Sequence, residues 1–202
     1  DLRSTAASAA ALLAERAAQG LAPLPLATAL GFVATEWVEG APLAAGAELP
    51  ALAAHLGEYI ARVAGPPLIG AELAAATARL AEMLFCNTQE ALGDAAAERT
   101  RLLADHATQA SAAGQGGASY GDGHLQPHEW IVCGGEPFKV DGAGHDCDHT
   151  LVGRQPVAWD IAGAVVEWRL DGAGVAQLLG AFRSAGGEEI AGDVLRFYQA
   201  AY

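Results

Sequence analysis

The chain has 202 residues, of which 52% are hydrophobic and 6% aromatic, and its formal net charge is -13. This composition suffices for the packed core of one domain or slightly more, and its many alanines favour helices. The acidic charge argues against nucleic acid and membrane surfaces as partners. No apolar run has the length of a membrane span. Three scattered cysteines, Cys86, Cys133 and Cys147, fit a reducing, cytoplasmic location better than a disulfide framework.

The N-terminal part of the chain predicts one helix followed by short strands. Residues 4–19 have helical composition, and Gly20 stops the helix. After two prolines, the β-rich segment 30–38 predicts one or two strands. A turn at 39–42 then leads into the helical part of the chain.

Helices dominate the remaining sequence. From residue 48 apolar side chains recur at three- and four-residue steps, which predicts a core-facing helix that ends near Gly65. Two short apolar runs around Gly134-Gly135 predict a β-hairpin, and we expect Cys86 and Cys133 in the core. Further helices are predicted at 71–92, 95–110, 158–169, 173–185 and 188–201.

Two acidic residues stand close to the predicted hairpin. Asp122 lies in a loop rich in Gly and Pro, and Asp141 follows the hairpin directly. A loop carboxylate can accept a hydrogen bond from a substrate hydroxyl, and a second carboxylate can hold magnesium. Together with the helix start at Trp159-Asp160, the order of these acids is typical of kinase-type sites.

These segments resemble the aminoglycoside phosphotransferase and choline kinase-like family. Its members carry a His-Gly-Asp-x-His-Pro-x-Asn loop, a hairpin, a metal-binding Asp and a Trp-Asp helix start. The resemblance covers roughly residues 10–200, and its specificity lies in the order and spacing of the motifs. The matching segments are Gly121–His124 and Pro127–Trp130 for the loop, Val140–Gly142 for the metal motif, Trp159–Ala162 for the helix start and Glu36–Gly40 for the hinge between the lobes.

The resemblance implies an α+β, mostly helical fold. A protein-kinase-like C-lobe would occupy residues 41–202, with a short β-hairpin at the active site, and a remnant of the N-lobe would occupy residues 1–40. It also implies transfer of the ATP γ-phosphate to a hydroxyl of a small molecule, with ATP and Mg²⁺ as cofactors. The acidic surface weakly favours a cationic acceptor, such as an amino sugar or an amino alcohol.

Roles for individual residues follow from the same resemblance. Asp122 would be the catalytic base, with His124 beside it in the catalytic set, and Asp160 would hold their loop through backbone N–H groups. Asp141 and Glu129 would bind Mg²⁺. The hinge backbone at Glu36, Trp37 and Val38 would bind adenine.

The sequence departs from the family pattern in three respects. Tyr120 stands where His is common, and Glu129 occupies the Asn position after a loop two residues longer. No Gly-rich phosphate loop or Val-Ala-Ile-Lys-like strand is found, and Lys139 is the only lysine. We therefore expect a chain without most of its N-lobe, either a fragment or a degenerate relative. Helix 4–19 would carry Glu15, the acid that pairs with the phosphate-binding lysine in a whole kinase.

Two other functions remain open from the sequence. One is a pseudokinase-like binding module without turnover. The other is a zinc-dependent hydrolase that uses the histidine pairs His145/His149, which flank Cys147, and His124/His128. The sequence does not predict an oligomeric state.

Overall fold

The computed structural model of the chain describes residues 2–47, 51–112, 118–119, 121–143 and 153–202. Within these ranges the fold is α+β and mostly helical, as predicted. None of the described helices is both long and apolar enough to cross a membrane. In chain order the elements are α1 (Leu2–Ala18), β1 (Pro25–Ala29), β2 (Phe32–Thr35), β3 (Ala41–Pro42), α2 (Leu52–Val63), β4 (Gly65–Pro67), α3 (Gly70–Leu92), α4 (Asp94–Ala112), β5 (Ala118–Ser119), a 3-10 turn (Pro127–Glu129), β6 (Trp130–Cys133), β7 (Glu136–Lys139), α5 (Ala158–Glu167), α6 (Gly172–Ser184) and α7 (Gly192–Ala201).

The predicted hairpin at residues 130–139 is confirmed. β6 and β7 are antiparallel, with Trp130 opposite Lys139, and Gly134 and Gly135 make the turn with φ of 64° and 95°. These positive φ values explain the two glycines, because residues with a Cβ rarely adopt them. β3 pairs with the other edge of β6, so the segment after β2 is joined to the hairpin.

A second hairpin lies near the N-terminus, and the sequence predicted only part of it. β1 begins at Pro25 and pairs antiparallel with β2, whereas we expected strands only from residue 30. Proline is tolerated at the first position of an edge strand, so Pro25 starts β1 instead of preventing it. The turn falls at Leu30-Gly31, where both residues have positive φ.

The apolar stripe of α2 lies at the centre of the core, as predicted. Leu56 and Ile60 are completely buried, and α2 packs closely against α6. Gly57 permits this approach, because a Cβ there would overlap the carbonyl oxygen of Leu178. The prediction that Cys86 and Cys133 are buried is wrong, because both are exposed. Cys86 follows the buried Leu84 by two positions and therefore lies on the opposite side of α3.

Candidate functional site

Asp122 lies in a loop, residues 121–126, which we call the Asp122 loop. The carboxylate is buried, with 3% of the residue exposed. Its Oδ2 accepts a hydrogen bond of 2.5 Å from the Tyr59 hydroxyl and lies 3.6 Å from Nζ of Lys139. A buried carboxylate needs such partners, since desolvation of an ionised group costs several kcal/mol.

The backbone of the Asp122 loop is held by α5. The carboxylate of Asp160 accepts hydrogen bonds from the N–H groups of Gly121 at 3.0 Å, Asp122 at 3.3 Å and Gly123 at 2.9 Å. The predicted anchoring role of Asp160 is therefore confirmed. Complete burial, followed by the negative charge of Asp122, raises the pKa of Asp160 to about 6, although the three N–H donors act against this shift.

Two tryptophans, one in α5 and one directly after it, hold the backbone of the Asp122 loop at Gly123 and Leu125. The indole N–H of Trp159 donates to the carbonyl of Gly123 at 3.2 Å, and that of Trp168 donates to the carbonyl of Leu125 at 2.8 Å. Both indole rings are buried. The loop shape is thus set by side chains that point at its backbone.

Lys139 places a buried positive charge beside Asp122. Its Nζ donates to Oε2 of Glu129 at 2.8 Å and to the backbone carbonyl of Asp141. The Lys139 side chain is 0% exposed and that of Glu129 is 8% exposed. The other oxygen of Glu129, Oε1, lies 3.3 Å from Nδ1 of His124. The structure thus brings three residues of the predicted site together. Asp122 and Glu129 contact Lys139, and His124 contacts Glu129.

Asp141 follows β7 at the edge of this cluster. Asp141 is exposed, in contrast to Asp122 and Glu129. The next residue, Gly142, is buried. A Cβ on Gly142 would lie 3.2 Å from the Tyr59 hydroxyl and 3.3 Å from Nη1 of Arg16. The segment 140–142 therefore packs against Tyr59 and Arg16 at a point where the backbone has little spare room.

Arg16 of α1 connects the two parts of the site. The residue is 3% exposed, and its guanidinium donates to the carbonyl oxygens of Gly121 and Gly142. Sequence reasoning selected the neighbouring Glu15, which is exposed, and missed Arg16. Arg16 lies one helical turn after the buried Leu13, but the Ala-rich sequence of α1 gives little indication of which face is buried.

Tyr59 was also missed as a site residue. The sequence placed it on the apolar stripe of α2, where it does lie, next to the Trp130 ring at a centroid distance of 4.9 Å. A buried tyrosine hydroxyl usually needs a polar partner, and this requirement could have pointed to a nearby acid.

The predicted hinge residues lie between β2 and β3. The backbone N–H of Glu36 donates to the Leu24 carbonyl at 2.8 Å, which continues the β1–β2 hairpin. Trp37 is 84% exposed, and its indole donates to Oε1 of Glu39 at 2.9 Å. Val38 is half-buried. Through β3 the hinge is linked to β6 of the site hairpin, and its contact with adenine stays a prediction.

The described residues give little support to a zinc site. The segment 144–152, with His145 and His149, lies outside them, as does Tyr120. Elsewhere His128 is exposed while His124 faces Glu129. In the described part of the chain no group of three or more His, Cys, Asp or Glu side chains could hold a metal ion.

A cavity of about 650 Å³ lies elsewhere in the helical part of the fold. Apolar residues such as Phe182 and Val157 line it, together with Glu188 and Glu189. None of the predicted site residues, all of which the structure describes, is among its lining. The predicted site residues therefore lie apart from this cavity.

Comparison with known proteins gives one relevant result. No family model and no curated protein matches the chain. The structure is similar to that of a glucosamine kinase, with a TM-score of 0.52 and 22% sequence identity. The match covers 98% of this chain, which spans 58% of the length of that kinase. At this identity the similarity shows a shared fold, and the function has to be argued from the site.

Proposed function

We propose that this chain is an ATP-dependent phosphotransferase that transfers the γ-phosphate to a hydroxyl of a small molecule, as a relative of the aminoglycoside phosphotransferase and choline kinase-like family. The observation that carries the proposal is the buried Asp122 on a loop whose backbone three hydrogen bonds tie to Asp160. The fold shared with a glucosamine kinase supports it. Residues 1–40 would belong to the N-lobe and residues 41–202 would form the C-lobe.

Asp122 would act as the general base. Its carboxylate would accept the proton of the acceptor hydroxyl as that oxygen attacks the γ-phosphorus, and the bond to the β–γ bridging oxygen would break to release ADP. Tyr59 and Lys139 hold Oδ2 in place, which fixes the orientation of the carboxylate. Such positioning is the main contribution a protein makes to phosphoryl transfer.

The two predicted magnesium ligands fit a metal ion unequally. Asp141 presents an exposed carboxylate, a hard donor of the kind that Mg²⁺ prefers. Glu129 already has Lys139 at 2.8 Å from one oxygen and His124 at 3.3 Å from the other. We therefore assign Asp141 as the residue that would hold Mg²⁺, which neutralises charge on the transferred phosphate when bound. The adenine would contact the hinge backbone at 36–38.

The acceptor class that we propose is a cationic alcohol, such as an amino sugar or an amino alcohol. The net charge of -13 favours cationic ligands near the site. The fold match to a glucosamine kinase points in the same direction.

The test is the thermal midpoint of the chain with Mg²⁺ and ATP, followed by transfer of labelled phosphate to glucosamine and other amino alcohols. ATP at a hundred times its dissociation constant should stabilise the chain by about 2.7 kcal/mol. The shift should require Mg²⁺ and disappear in Asp141→Asn, and transfer should disappear in Asp122→Asn. Asp105→Asn, an exposed acid of α4, is the matched control. No shift in the wild-type chain would contradict the proposal.

A pseudokinase-like binding module is the second candidate. The observation that favours it is the buried ion pair of Lys139 with Glu129. Because of this pair, an oxygen of the acid that was predicted to bind metal is already bound to the ammonium. A magnesium-dependent thermal shift without phosphate transfer to any acceptor would support this alternative.

A further inference from the structure

Three oxygen atoms from three separate segments converge on the single lysine of this chain. Nζ of Lys139 lies 2.8 Å from Oε2 of Glu129 and 3.6 Å from Oδ2 of Asp122, and it donates to the carbonyl of Asp141. Two of these contacts are hydrogen bonds from the ammonium group, and the third is an ion pair. Lys139 is therefore an integral part of the site.

The position of Lys139 on β7 directs its side chain to the buried face of the hairpin. Along the strand the side chains alternate between the two faces of the hairpin, and Lys139 shares the inward face with the buried Pro137. Its register partner is Trp130, which is 0% exposed. Moving the ammonium away would break the buried ion pair with Glu129 and the contact with Asp122, at a high cost in free energy.

The charges of Glu129 and Lys139 cancel. In kinase-type sites two metal ions are held by the metal-motif Asp and a neutral Asn of the catalytic loop. Here the position that resembles that Asn carries Glu129, whose extra negative charge is balanced by Lys139 at 2.8 Å. The pair is neutral, as an amide would be, but both carboxylate oxygens of Glu129 are already in contact with other side chains.

We propose that Lys139 is a built-in cation that replaces one metal ion of this site. On this view Glu129 anchors the ammonium instead of binding metal, Lys139 positions Asp122, and the site takes a single divalent ion at Asp141. The inference rests on the proposed phosphotransferase function and specifies its metal requirement.

The first test counts Mn²⁺ ions bound to the whole chain in the presence of a non-hydrolysable ATP analogue, by electron paramagnetic resonance of free Mn²⁺. We expect one ion per chain, lost in Asp141→Asn and retained in Glu129→Gln. Two ions per chain, or loss of the ion in Glu129→Gln, would overturn the built-in cation while leaving the phosphotransferase proposal intact. Binding of neither the analogue nor Mn²⁺ would overturn both.

The second test removes the ammonium and needs no nucleotide. Lys139→Met keeps a long apolar side chain but removes the ammonium that lies between Asp122, Glu129 and the Asp141 carbonyl. Since ligand charge controls divalent-ion affinity, this variant should bind Mn²⁺ at least about tenfold more tightly than the wild type. The gain should vanish in the double variant Lys139→Met/Glu129→Gln. A folded Lys139→Met chain without the gain would refute the proposal, and if that variant does not fold, the ion count in Glu129→Gln decides.

Discussion

The hydroxyl of Tyr59 donates a hydrogen bond of 2.5 Å to Oδ2 of Asp122, 63 residues further along the chain. Burial, and then the negative charge of Asp122, raise the pKa of Tyr59 well above its usual value of 10. The phenol therefore stays protonated and remains a donor throughout the physiological pH range. This contact ties the central helix α2 to the Asp122 loop.

Replacement of this donor should destabilise the fold measurably. Tyr59→Phe leaves the ring packed but removes the partner of a buried carboxylate, so the free energy of unfolding should fall by about 1.5–3 kcal/mol. The measurement is urea unfolding followed by circular dichroism. Tyr202→Phe is the control, because that hydroxyl makes a longer bond of 3.2 Å to Glu167 in a partly exposed place. Equal losses in the two variants would argue against a special role for the Tyr59 contact.

Arg16 and Glu15 form a natural pair of matched variants. Arg16→Met removes two hydrogen bonds to the carbonyls of Gly121 and Gly142, each of which is charge-assisted and contributes about 1.5–3 kcal/mol. Glu15→Gln, at the exposed neighbouring position, should change stability by no more than about 0.5 kcal/mol. Under the proposed phosphotransferase function, Arg16→Met should also weaken ATP binding, because the segment 140–142 loses its link to the Asp122 loop. A thermal midpoint equal to that of Glu15→Gln would show that Arg16 is dispensable.

The raised pKa of Asp160 predicts a pH dependence of stability. The folded-state pKa is about 6, above the ordinary value of 3.8. The folded state therefore binds the proton more tightly, so this contribution to stability is fully present below 3.8 and is lost as the pH rises through about 6. A shift of roughly two pKa units corresponds to a loss on the order of 3 kcal/mol.

Asp160→Asn should remove this contribution. Its unfolding free energy should decrease less between about pH 4 and pH 7 than that of the wild type, even though the variant loses part of its hold on the loop backbone. Urea titrations at several pH values across this window provide the measurement. Parallel curves for the two proteins would mean that Asp160 does not titrate there.

Two helix-interior glycines should respond in opposite ways to the same substitution. Gly180→Ala in α6 places a Cβ in open space, so helix propensity should raise the free energy of unfolding by about 0.5–1 kcal/mol. Gly57→Ala in α2 gains the same propensity but forces α2 away from the Leu178 carbonyl, which should cost about 1–3 kcal/mol net. Thermal unfolding of both variants tests the close contact between α2 and α6. Stabilisation by Gly57→Ala would contradict that contact.

The burial of Lys139 can be tested directly because the chain has no other lysine. An amine-reactive ester should modify Lys139 in the native chain at least about a hundredfold more slowly than in urea, since the ammonium is enclosed and must be exposed by opening of the fold. Mass spectrometry of the digested chain gives both rates. Equal rates with and without urea would show that Nζ is open to solvent.

The parts of the fold that the sequence predicted correctly depend on local patterns. The hairpin at 130–139 follows from two apolar runs around Gly134-Gly135, and the helices follow from apolar periodicity. The anchoring role of Asp160 was accessible because Trp-Asp at a helix start, at this distance from a Gly-Asp loop, matches a known motif order. Pro25 misled the strand prediction because proline is read as a break before its position in the strand is known.

The parts that were missed depend on contacts between distant segments. Arg16 acts on Gly121, 105 residues away, and no local pattern encodes which carbonyls a buried guanidinium will meet. The hydrogen-bond partner of Tyr59 is likewise not encoded locally, because it depends on how α2 packs against the Asp122 loop. Lys139 had a weaker signal, since a lysine at an inward strand position must find an acid, but the sequence could not say which one.

The support of the Asp122 loop from α5 has an evolutionary consequence. Trp159, Asp160 and Trp168 all bind backbone groups of the loop, which every amino acid except proline can supply in full. The partly exposed side chains of the loop, His124 and Gln126, can therefore be exchanged without loss of these backbone contacts, whereas a Cβ on Gly121 would overlap the Val63 carbonyl. Substitutions at these positions can therefore accumulate while the hydrogen bonds that hold the loop backbone persist.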